Sequence, residues 1–139
     1  MNLVVDASVV VKWYIPERDH AAALTIRDEY LDGVVDLHAP SLLHFEVLNA
    51  LRYSGAYGNE SLAAAARSLA DYGIEQHPLA DVGPVADVAT ELDTTIYDAS
   101  YVGLSSTLDA TAYTADEALL TAASGTTFDE RVAHVSDYG

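Results

Sequence analysis

The stretch Asn2-Leu3-Val4-Val5-Asp6 decides the fold, because it joins a short apolar run to a carboxylate at the start of the chain. An apolar run of this length is typical of a buried strand. A short helix is predicted directly after it, over residues 8–15, and Pro16 ends that helix. The opening therefore predicts a β-strand followed by a helix, with Asp6 at the carboxyl end of the strand.

The same alternation continues along the rest of the chain. Short strand-like segments are separated by segments with helical spacing, and Gly33 and Gly73 mark two of the helix ends. This pattern indicates βαβ units and a mostly parallel sheet covered by helices on both faces. We therefore expect one α/β domain over residues 1–139 with about five short strands. The predicted strands lie at 2–5, 34–39, 74–77, 110–114 and 131–135, and the predicted helices at 8–15, 18–31, 40–54, 60–72, 84–92, 97–108 and 117–123.

Three local features refine this prediction. Pro40 is expected in the first turn of the helix over residues 40–54, where its missing N–H costs nothing. Asn59 is expected to cap the helix over residues 60–72. The segment 42–51 is apolar almost all round, which predicts a helix buried on every side.

The charge balance is strongly acidic. The chain has 22 Asp and Glu residues against 6 Lys and Arg, a formal net charge of −16, and Lys12 is its one lysine. Such self-repulsion is largely screened at about 1 M salt, where the Debye length is roughly 3 Å. We interpret the composition as an adaptation to a salt-rich cytoplasm. The alternative is an ordinary acidic protein with a basic partner, and the scarcity of lysine favours the first interpretation.

Composition also bounds the cellular context. The chain has no cysteine, which excludes disulfides and thiolate metal sites. Its first carboxylate comes too early for the apolar region of a signal peptide, and no apolar run approaches the roughly 20 residues of a membrane helix. We expect a cytoplasmic protein that does not contact a membrane.

Four acidic residues stand where a parallel sheet would bring them to one edge. Asp6 follows the first strand directly, Asp116 follows the fourth strand by two residues, and Asp98 begins the helix before that strand. Each aspartate also fits a helix N-cap, and Glu46 could share a solvated helix face with Asn49. Carboxylates that converge raise each other's pKa unless a cation compensates, and Mg²⁺ or Mn²⁺ is the natural choice for oxygen ligands.

The four acids stand in segments that follow one another in order along nearly the whole chain. The segments are Val4-Val5-Asp6-Ala7-Ser8-Val9-Val10-Val11-Lys12-Trp13 with Pro16-Glu17, Pro40-Ser41-Leu42 through Glu46-Val47-Leu48-Asn49-Ala50-Leu51, Tyr97-Asp98-Ala99-Ser100-Tyr101-Val102, and Tyr113-Thr114-Ala115-Asp116-Glu117-Ala118-Leu119-Leu120. Taken as an ordered set, they resemble the four acidic motifs of the PIN-domain family, specifically its VapC-type toxins of toxin–antitoxin pairs.

The resemblance implies a three-layer α/β/α PIN domain and an activity. The implied activity is the cleavage of RNA phosphodiester bonds by an endoribonuclease that needs Mg²⁺ or Mn²⁺ and uses metal-activated water. Carried over by position, the metal would be held by Asp6, Glu46, Asp98 and Asp116, and Ser8, Asn49 and Thr114 would orient the ligands. Whether one metal ion or two bind stays open.

The resemblance also implies partners. The acidic charge of this chain, however, differs from what is usual in the family. The implied partners are an RNA substrate, a cognate antitoxin whose tail would cover the acidic pocket, and a second copy of the chain in a homodimer. Relatives usually carry more basic residues near the groove, whereas here Lys12, Arg18 and Arg52 are the few candidates. In high salt, counterion release contributes little to RNA affinity, so a basic surface would gain little there.

Other classes of site fit the sequence less well. It has neither Gly-x-Gly-x-x-Gly nor Gly-x-x-x-x-Gly-Lys-Ser/Thr, so it lacks a phosphate-binding loop. A phosphoacceptor receiver domain needs a lysine after a late strand, and Lys12 lies near the start. The five histidines, at positions 20, 38, 44, 77 and 134, show no paired spacing typical of a zinc site. The alternative that stays open is a catalytically inert PIN-like domain that acts as a protein-binding module.

Overall fold

A sheet of five parallel strands forms the centre of the protein. The computed structural model describes residues 1–139, and its strands pair in the order β3-β2-β1-β4-β5. The predicted α/β class and the five short strands are confirmed. The strands are β1 (Asn2–Val5), β2 (Asp36–Pro40), β3 (Glu75–His77), β4 (Thr111–Thr114) and β5 (Val132–His134), and the helices are α1 (Ala7–Val10), α2 (His20–Leu31), α3 (Leu43–Tyr53), α4 (Asn59–Asp71), α5 (Val85–Leu92), α6 (Ile96–Leu108) and α7 (Glu117–Ala123).

Helices cover both faces of the sheet. From β1 to β3 the chain moves towards one edge, and from β3 through β4 to β5 it moves towards the other. Because crossovers between parallel strands are right-handed, the two directions place α1 to α4 on one face and α5 to α7 on the other. The packing agrees, since α3 contacts α1 and α4 while α5 contacts α6. The result is the expected three-layer α/β/α fold. None of the helices is both long and apolar enough to cross a membrane.

Strand β1 is the central strand, and both of its faces are buried. Leu3, Val4 and Val5 are at most 2% exposed. Beyond the last residue of β1, the N–H of Asp6 donates to the carbonyl oxygen of Tyr113 in β4 at 3.3 Å, which holds the two strand ends side by side. The chain leaves β1 and β4 towards opposite faces, so a crevice opens between their carboxyl ends. Open parallel sheets bind their ligands at such a place.

Two predicted helix starts are wrong. Pro40 ends β2 instead of opening a helix, and the N–H of Ser41 donates to the carbonyl oxygen of His77 at 2.9 Å, which extends the pairing with β3. Asn59 is already the first residue of α4 and does not cap it. Gly58 occupies the cap position, and its N–H donates to the hydroxyl of Ser61 at 2.8 Å. At Pro40 the pairing with β3 overrides the local residue preference, and at Asn59 the hydroxyl of Ser61 supplies the capping contact one residue earlier than predicted.

Helix α3 is buried along one face only, contrary to the prediction of a helix buried on every side. Leu43, Val47 and Leu51 follow one another at intervals of four residues and are fully buried. Phe45 and Tyr53 lie on the opposite side and are 78% and 77% exposed. No other element of the fold covers this second side, so α3 presents an aromatic surface to solvent.

Three helix boundaries are formed by aspartates with left-handed backbone conformation. Asp19 precedes α2 with a φ of 64°, and Asp93 and Asp109 follow α5 and α6 with a φ of 51° each. Glycine is the usual residue at such a position because it has no Cβ. Aspartate tolerates this conformation better than most residues, since its short polar side chain can form local hydrogen bonds.

Gly103 allows helix α6 to approach the backbone that precedes α5. A Cβ added to Gly103 would lie 2.6 Å from the carbonyl oxygen of Val82, and this backbone atom cannot rotate away as a flexible side chain would. Helix α6 also carries Asp98 in its first turn. The close approach therefore fixes the helix on which one of the candidate site residues lies.

We expect Gly103→Ala to destabilise the protein. Glycine to alanine inside a helix normally gains roughly 1 kcal/mol, but overpacking typically costs about 1–3 kcal/mol, and here the clash with backbone dominates. Thermal and urea unfolding in molar KCl should show a lower midpoint. Gly58→Ala is the matched control, because nothing lies within 4 Å of a Cβ added there and its φ is −98°. A Gly103→Ala variant as stable as the unmodified protein would contradict the packing argument.

Candidate active site

The carboxylate of Asp6 is almost completely buried where β1 ends, and two hydroxyl groups converge on it. Its Oδ1 accepts hydrogen bonds from the hydroxyl of Ser8 at 2.5 Å and from the N–H of Val9 at 3.3 Å. Its Oδ2 accepts a hydrogen bond from the hydroxyl of Thr114 at 2.5 Å. Asp6 therefore caps helix α1, and it also receives two side-chain hydrogen bonds that capping does not require.

Backbone groups after β4 fix both hydroxyls. The N–H of Ala115 donates to Ser8 Oγ at 2.8 Å, and the N–H of Asp116 donates to Thr114 Oγ1 at 3.0 Å. Each hydroxyl has one hydrogen, and both hydrogens point to Asp6. The 3.3 Å separation of the two hydroxyl oxygens is therefore a contact and not a hydrogen bond. Asp6 is held in one orientation by groups from both α1 and β4.

The other two aspartates have different local roles. Asp116 caps α7, and its Oδ1 accepts a hydrogen bond from the N–H of Ala118 at 2.9 Å. Asp98 is not a cap, contrary to the sequence analysis. Thr95 caps α6 and accepts a hydrogen bond from the N–H of Asp98 at 3.1 Å. The Asp98 carboxylate is thereby free of a capping role, and it accepts one hydrogen bond from the hydroxyl of Thr94 at 3.3 Å.

Glu46 enters the site from α3, on the other face of the sheet from α6. Its Oε1 accepts a hydrogen bond from the hydroxyl of Tyr101 at 2.6 Å. Tyr101 is buried, and desolvation followed by the nearby Glu46 raises the pKa of its hydroxyl far above the usual range, so it remains a donor. Tyr101 was not among the residues predicted for the site, although it stands three residues after Asp98 and therefore on the same face of one helix.

The four carboxylates influence one another electrostatically. Burial raises the pKa of Asp6 to about 6 against the lowering effect of its hydrogen bonds, and Asp116 raises it further. Burial likewise raises the pKa of Asp98 and Glu46, with further increases from Asp116 on Asp98 and from Asp98 on Glu46. No ion pair of the structure includes any of the four acids. Uncompensated carboxylates in one crevice fit a hard divalent cation such as Mg²⁺ or Mn²⁺.

A groove of about 430 Å³ runs along α3 beside the acids. Glu46 lines it together with Leu42, Phe45, Asn49 and Tyr97. The side chain of Asn49 forms no hydrogen bond with Glu46 or with the three aspartates, so the structure places it in the groove without showing it as an orienting group. Phe45 and Tyr97 present exposed aromatic rings at this groove.

The three basic residues considered for RNA binding differ in their surroundings. Lys12 is buried, and its Nζ forms an ion pair with Glu17 Oε1 at 3.1 Å. Arg52 is exposed, with its guanidinium 5.6 Å from the ring centroid of Tyr53. Arg18 is exposed and forms no ion pair. The crevice therefore has no cluster of cationic side chains to compensate its acids.

The fold and the site together define a class of protein, namely a parallel α/β domain with four carboxylates around the crevice where the chain direction reverses. The crystal structure of PAE2754 from Pyrobaculum aerophilum is similar, with a TM-score of 0.64 and 26% sequence identity. The match covers 98% of this chain and 90% of that chain, so the likeness extends through all three layers. No protein-family model and no curated protein sequence matches the chain.

The raised pKa of Asp6 predicts that stability without metal falls as pH rises through about 6. The folded protein holds the Asp6 proton more tightly than the unfolded chain, whose ordinary value is 3.8, so stabilisation is complete below pH 4 and is lost above pH 6. At about 1.36 kcal/mol per pKa unit, the full effect is about 3 kcal/mol. Thermal unfolding in molar KCl with EDTA, followed from pH 4 to pH 7, measures it.

Asp6→Asn should remove most of this pH dependence, because the amide does not ionise. Asp87→Asn, which neutralises an exposed carboxylate of α5, is the matched control and should leave the slope as it is. An Asp6→Asn variant that loses stability over this pH interval as steeply as the unmodified protein would show that Asp6 is not the group responsible.

Proposed function

We propose that this protein is a metal-dependent endoribonuclease of the PIN-domain kind that acts as the toxin of a toxin–antitoxin pair. The observation that carries the proposal is electrostatic. Asp116 raises the pKa of both Asp6 and Asp98, and Asp98 raises that of Glu46, so these acids from four separate segments lie near one another. None of the four forms an ion pair. The choice of RNA as the substrate follows from the resemblance of the ordered acidic segments to that family.

Each residue has a definite part in the proposed reaction. Asp6 is held rigidly by Ser8 and Thr114, which suits a metal ligand whose oxygen must not move during the reaction. Asp98 and Asp116 offer oxygens from the first turn of α6 and the cap of α7, and Glu46 is oriented by Tyr101. Bound Mg²⁺ or Mn²⁺ would lower the pKa of water and neutralise charge that develops on the phosphoryl oxygens.

The same resemblance extends the proposal to two protein partners, an antitoxin and a second copy of the chain. Exposed apolar side chains around the groove, among them Phe45, Ile96 and Tyr97, give an antitoxin segment something to cover close to the acids. This exposed surface is also the observation that favours the alternative function, a catalytically inert domain that binds a partner protein.

The nuclease proposal predicts that cleavage needs both the metal and the acids. We expect the purified chain in molar KCl to cut total RNA with Mn²⁺ or Mg²⁺ and not with EDTA. Asp6→Asn and Asp98→Asn should each reduce the rate by at least about a hundredfold, because each removes a charged oxygen ligand from the metal. Asp87→Asn neutralises an acid outside the crevice and should retain full activity.

Two outcomes would decide against the nuclease. One is a folded protein that leaves RNA intact with both metals and binds neither of them by calorimetry, which favours the inert binding domain. The other is cleavage that persists in both variants with circular dichroism like that of the unmodified protein, which points to a contaminating nuclease.

The aromatic groove predicts how an acidic protein holds its substrate. Bases stack on exposed aromatic rings in a manner that salt weakens little, and each stacked base contributes roughly 1–3 kcal/mol by alanine substitution. We expect Phe45→Ala and Tyr97→Ala each to raise the KM for RNA by roughly tenfold, with a smaller change in kcat. Phe45→Tyr, which keeps a ring, should restore the affinity. Leu79→Ala removes an exposed apolar side chain outside the groove and serves as the control.

If KM stays the same in both alanine variants, the bases do not stack at this groove. A strong rise of KM with salt in the unmodified protein would indicate that phosphate contacts dominate instead.

A further inference from the structure

Two histidines and a glutamate lie close together near the β3 edge of the sheet, which is the edge opposite to β4 and β5. His38 lies in β2, and Glu75 and His77 lie in the edge strand β3. The parallel register pairs His38 with Glu75, and His77 follows two residues later, so alternation along the strand puts all three side chains on the same face of the sheet. The sequence analysis found no paired histidine spacing because the pairing depends on this register.

The donor atoms of the three residues are close together. His38 Nδ1 lies 3.0 Å from His77 Nε2 and 3.2 Å from Glu75 Oε2, and one donor atom from each residue lies within 4.8 Å of the others. Bonds of about 2.0–2.1 Å to a tetrahedral zinc ion would separate its ligand atoms by roughly 3.3 Å. The cluster therefore needs only a small opening to hold such an ion.

The second nitrogen of the His38 ring determines what the first one can do. His38 Nε2 lies 3.1 Å from Asn2 Oδ1, and an amide oxygen accepts hydrogen bonds but cannot donate them. His38 Nε2 therefore carries the hydrogen, and a neutral ring then has a lone pair on Nδ1. That lone pair faces the carboxylate oxygen of Glu75, which is also an acceptor. The same lone pair lies 3.0 Å from His77 Nε2, so it either accepts a hydrogen bond from the ring of His77 or binds a cation that the three residues share.

We propose that His38, Glu75 and His77 form a second metal site, which binds a borderline divalent cation with zinc as the best fit. Two imidazoles and a carboxylate form a typical three-residue zinc ligand set, whereas Mg²⁺ prefers oxygen ligands alone. The hydrogen bond from His38 to Asn2 is the outer contact that orients a metal-binding imidazole. A hollow of about 460 Å³ adjoins His38 and Glu75 and is also lined by Asn2 and Tyr30, so there is room for a water ligand beside two of the three residues.

The metal would stabilise the attachment of the edge strand β3 to the sheet. Strand β3 has three residues and pairs only with β2, and its Glu75 and Gln76 are exposed. A cation shared by His38 in β2 and by two residues of β3 cross-links the edge strand to its single neighbour. Its residues are separate from the four acids, so the two metal sites should bind independently.

The test is a zinc titration of the full chain in molar KCl at neutral pH, after EDTA has been used and removed. Calorimetry should give one zinc ion per chain with micromolar or tighter affinity in an Asp6→Asn/Asp98→Asn background, in which the acidic crevice is weakened. His77→Ala and Glu75→Gln in the same background should each weaken binding at least tenfold, and His20→Ala, which removes a half-buried histidine of α2, should not. Zinc at 100 times its Kd should raise the Tm by about 5–10 °C in the background protein and not in His77→Ala.

The outcomes separate this proposal from the nuclease. Zinc affinity that is unchanged in both His77→Ala and Glu75→Gln, or no zinc binding at all, would overturn the second site, and the hydrogen bond between the rings of His38 and His77 would then account for the cluster. Zinc binding that disappears in Asp6→Asn/Asp98→Asn and survives in His77→Ala would place the ion at the acids and also overturn it. Introduced into the unmodified protein, the two substitutions in β3 should leave Mn²⁺-dependent RNA cleavage unchanged. A failed cleavage assay therefore does not decide whether zinc binds at His38, Glu75 and His77. Glu75→Gln alters an exposed side chain and keeps the test valid if His77→Ala does not fold.

Discussion

The hydrogen bonds to the carboxylate of Asp6 are the contacts on which the rest of the site depends. They join residues 108 positions apart in the chain, because Thr114 in β4 and Ser8 after β1 both donate to the same group. The pairing of β1 with β4 and the orientation of Asp6 therefore form together. The backbone N–H groups of Ala115 and Asp116 complete the arrangement, so the chain that leads into α7 is fixed by the same contacts. A sheet built in any other order would separate these groups.

The parts of this structure that the sequence predicts are those set by local pattern and strand direction. The apolar run before Asp6 and the alternation of short strands with helices predict the five strands. A parallel strand that is buried on both faces is a short run of apolar residues, and this pattern is visible in the sequence. Asp98 as a cap was a wrong prediction, since α6 begins earlier and Thr95, a weaker capping residue by type, accepts the hydrogen bond from the N–H of Asp98. The full burial of α3 was also wrong, because apolar composition does not say how many neighbours a helix has. The cluster of His38, Glu75 and His77 depends on the register of two strands that lie far apart in the chain, and no local pattern contains that information.

The acidic residues of this protein fall into groups with different physical consequences. Asp6, Glu46 and Asp98 are partly or fully buried, and their raised pKa values mean that these carboxylates oppose folding when they are charged and uncompensated. Most of the remaining acids are exposed, and their mutual repulsion is a matter of salt screening. The stability of the fold thus depends on ionic strength at the surface, and the proposed cation would act on the crevice. The aromatic rings of α3 and α6 carry no charge, which would suit them to hold the proposed RNA substrate when salt varies.

The aspartates with left-handed backbone at the ends of α5 and α6 contribute to the acidic surface at a cost in backbone conformation. Most positions that can become acidic are ordinary surface positions, where a substitution changes little besides charge. Asp93 and Asp109 occupy sites where glycine fits best, so their carboxylates come with local strain in the folded chain. Compared with glycine, they also restrict the unfolded chain, which offsets part of that strain. The acidity of this chain therefore extends into the turns between elements, at positions where the added charge is accompanied by a backbone cost that an ordinary surface position does not have.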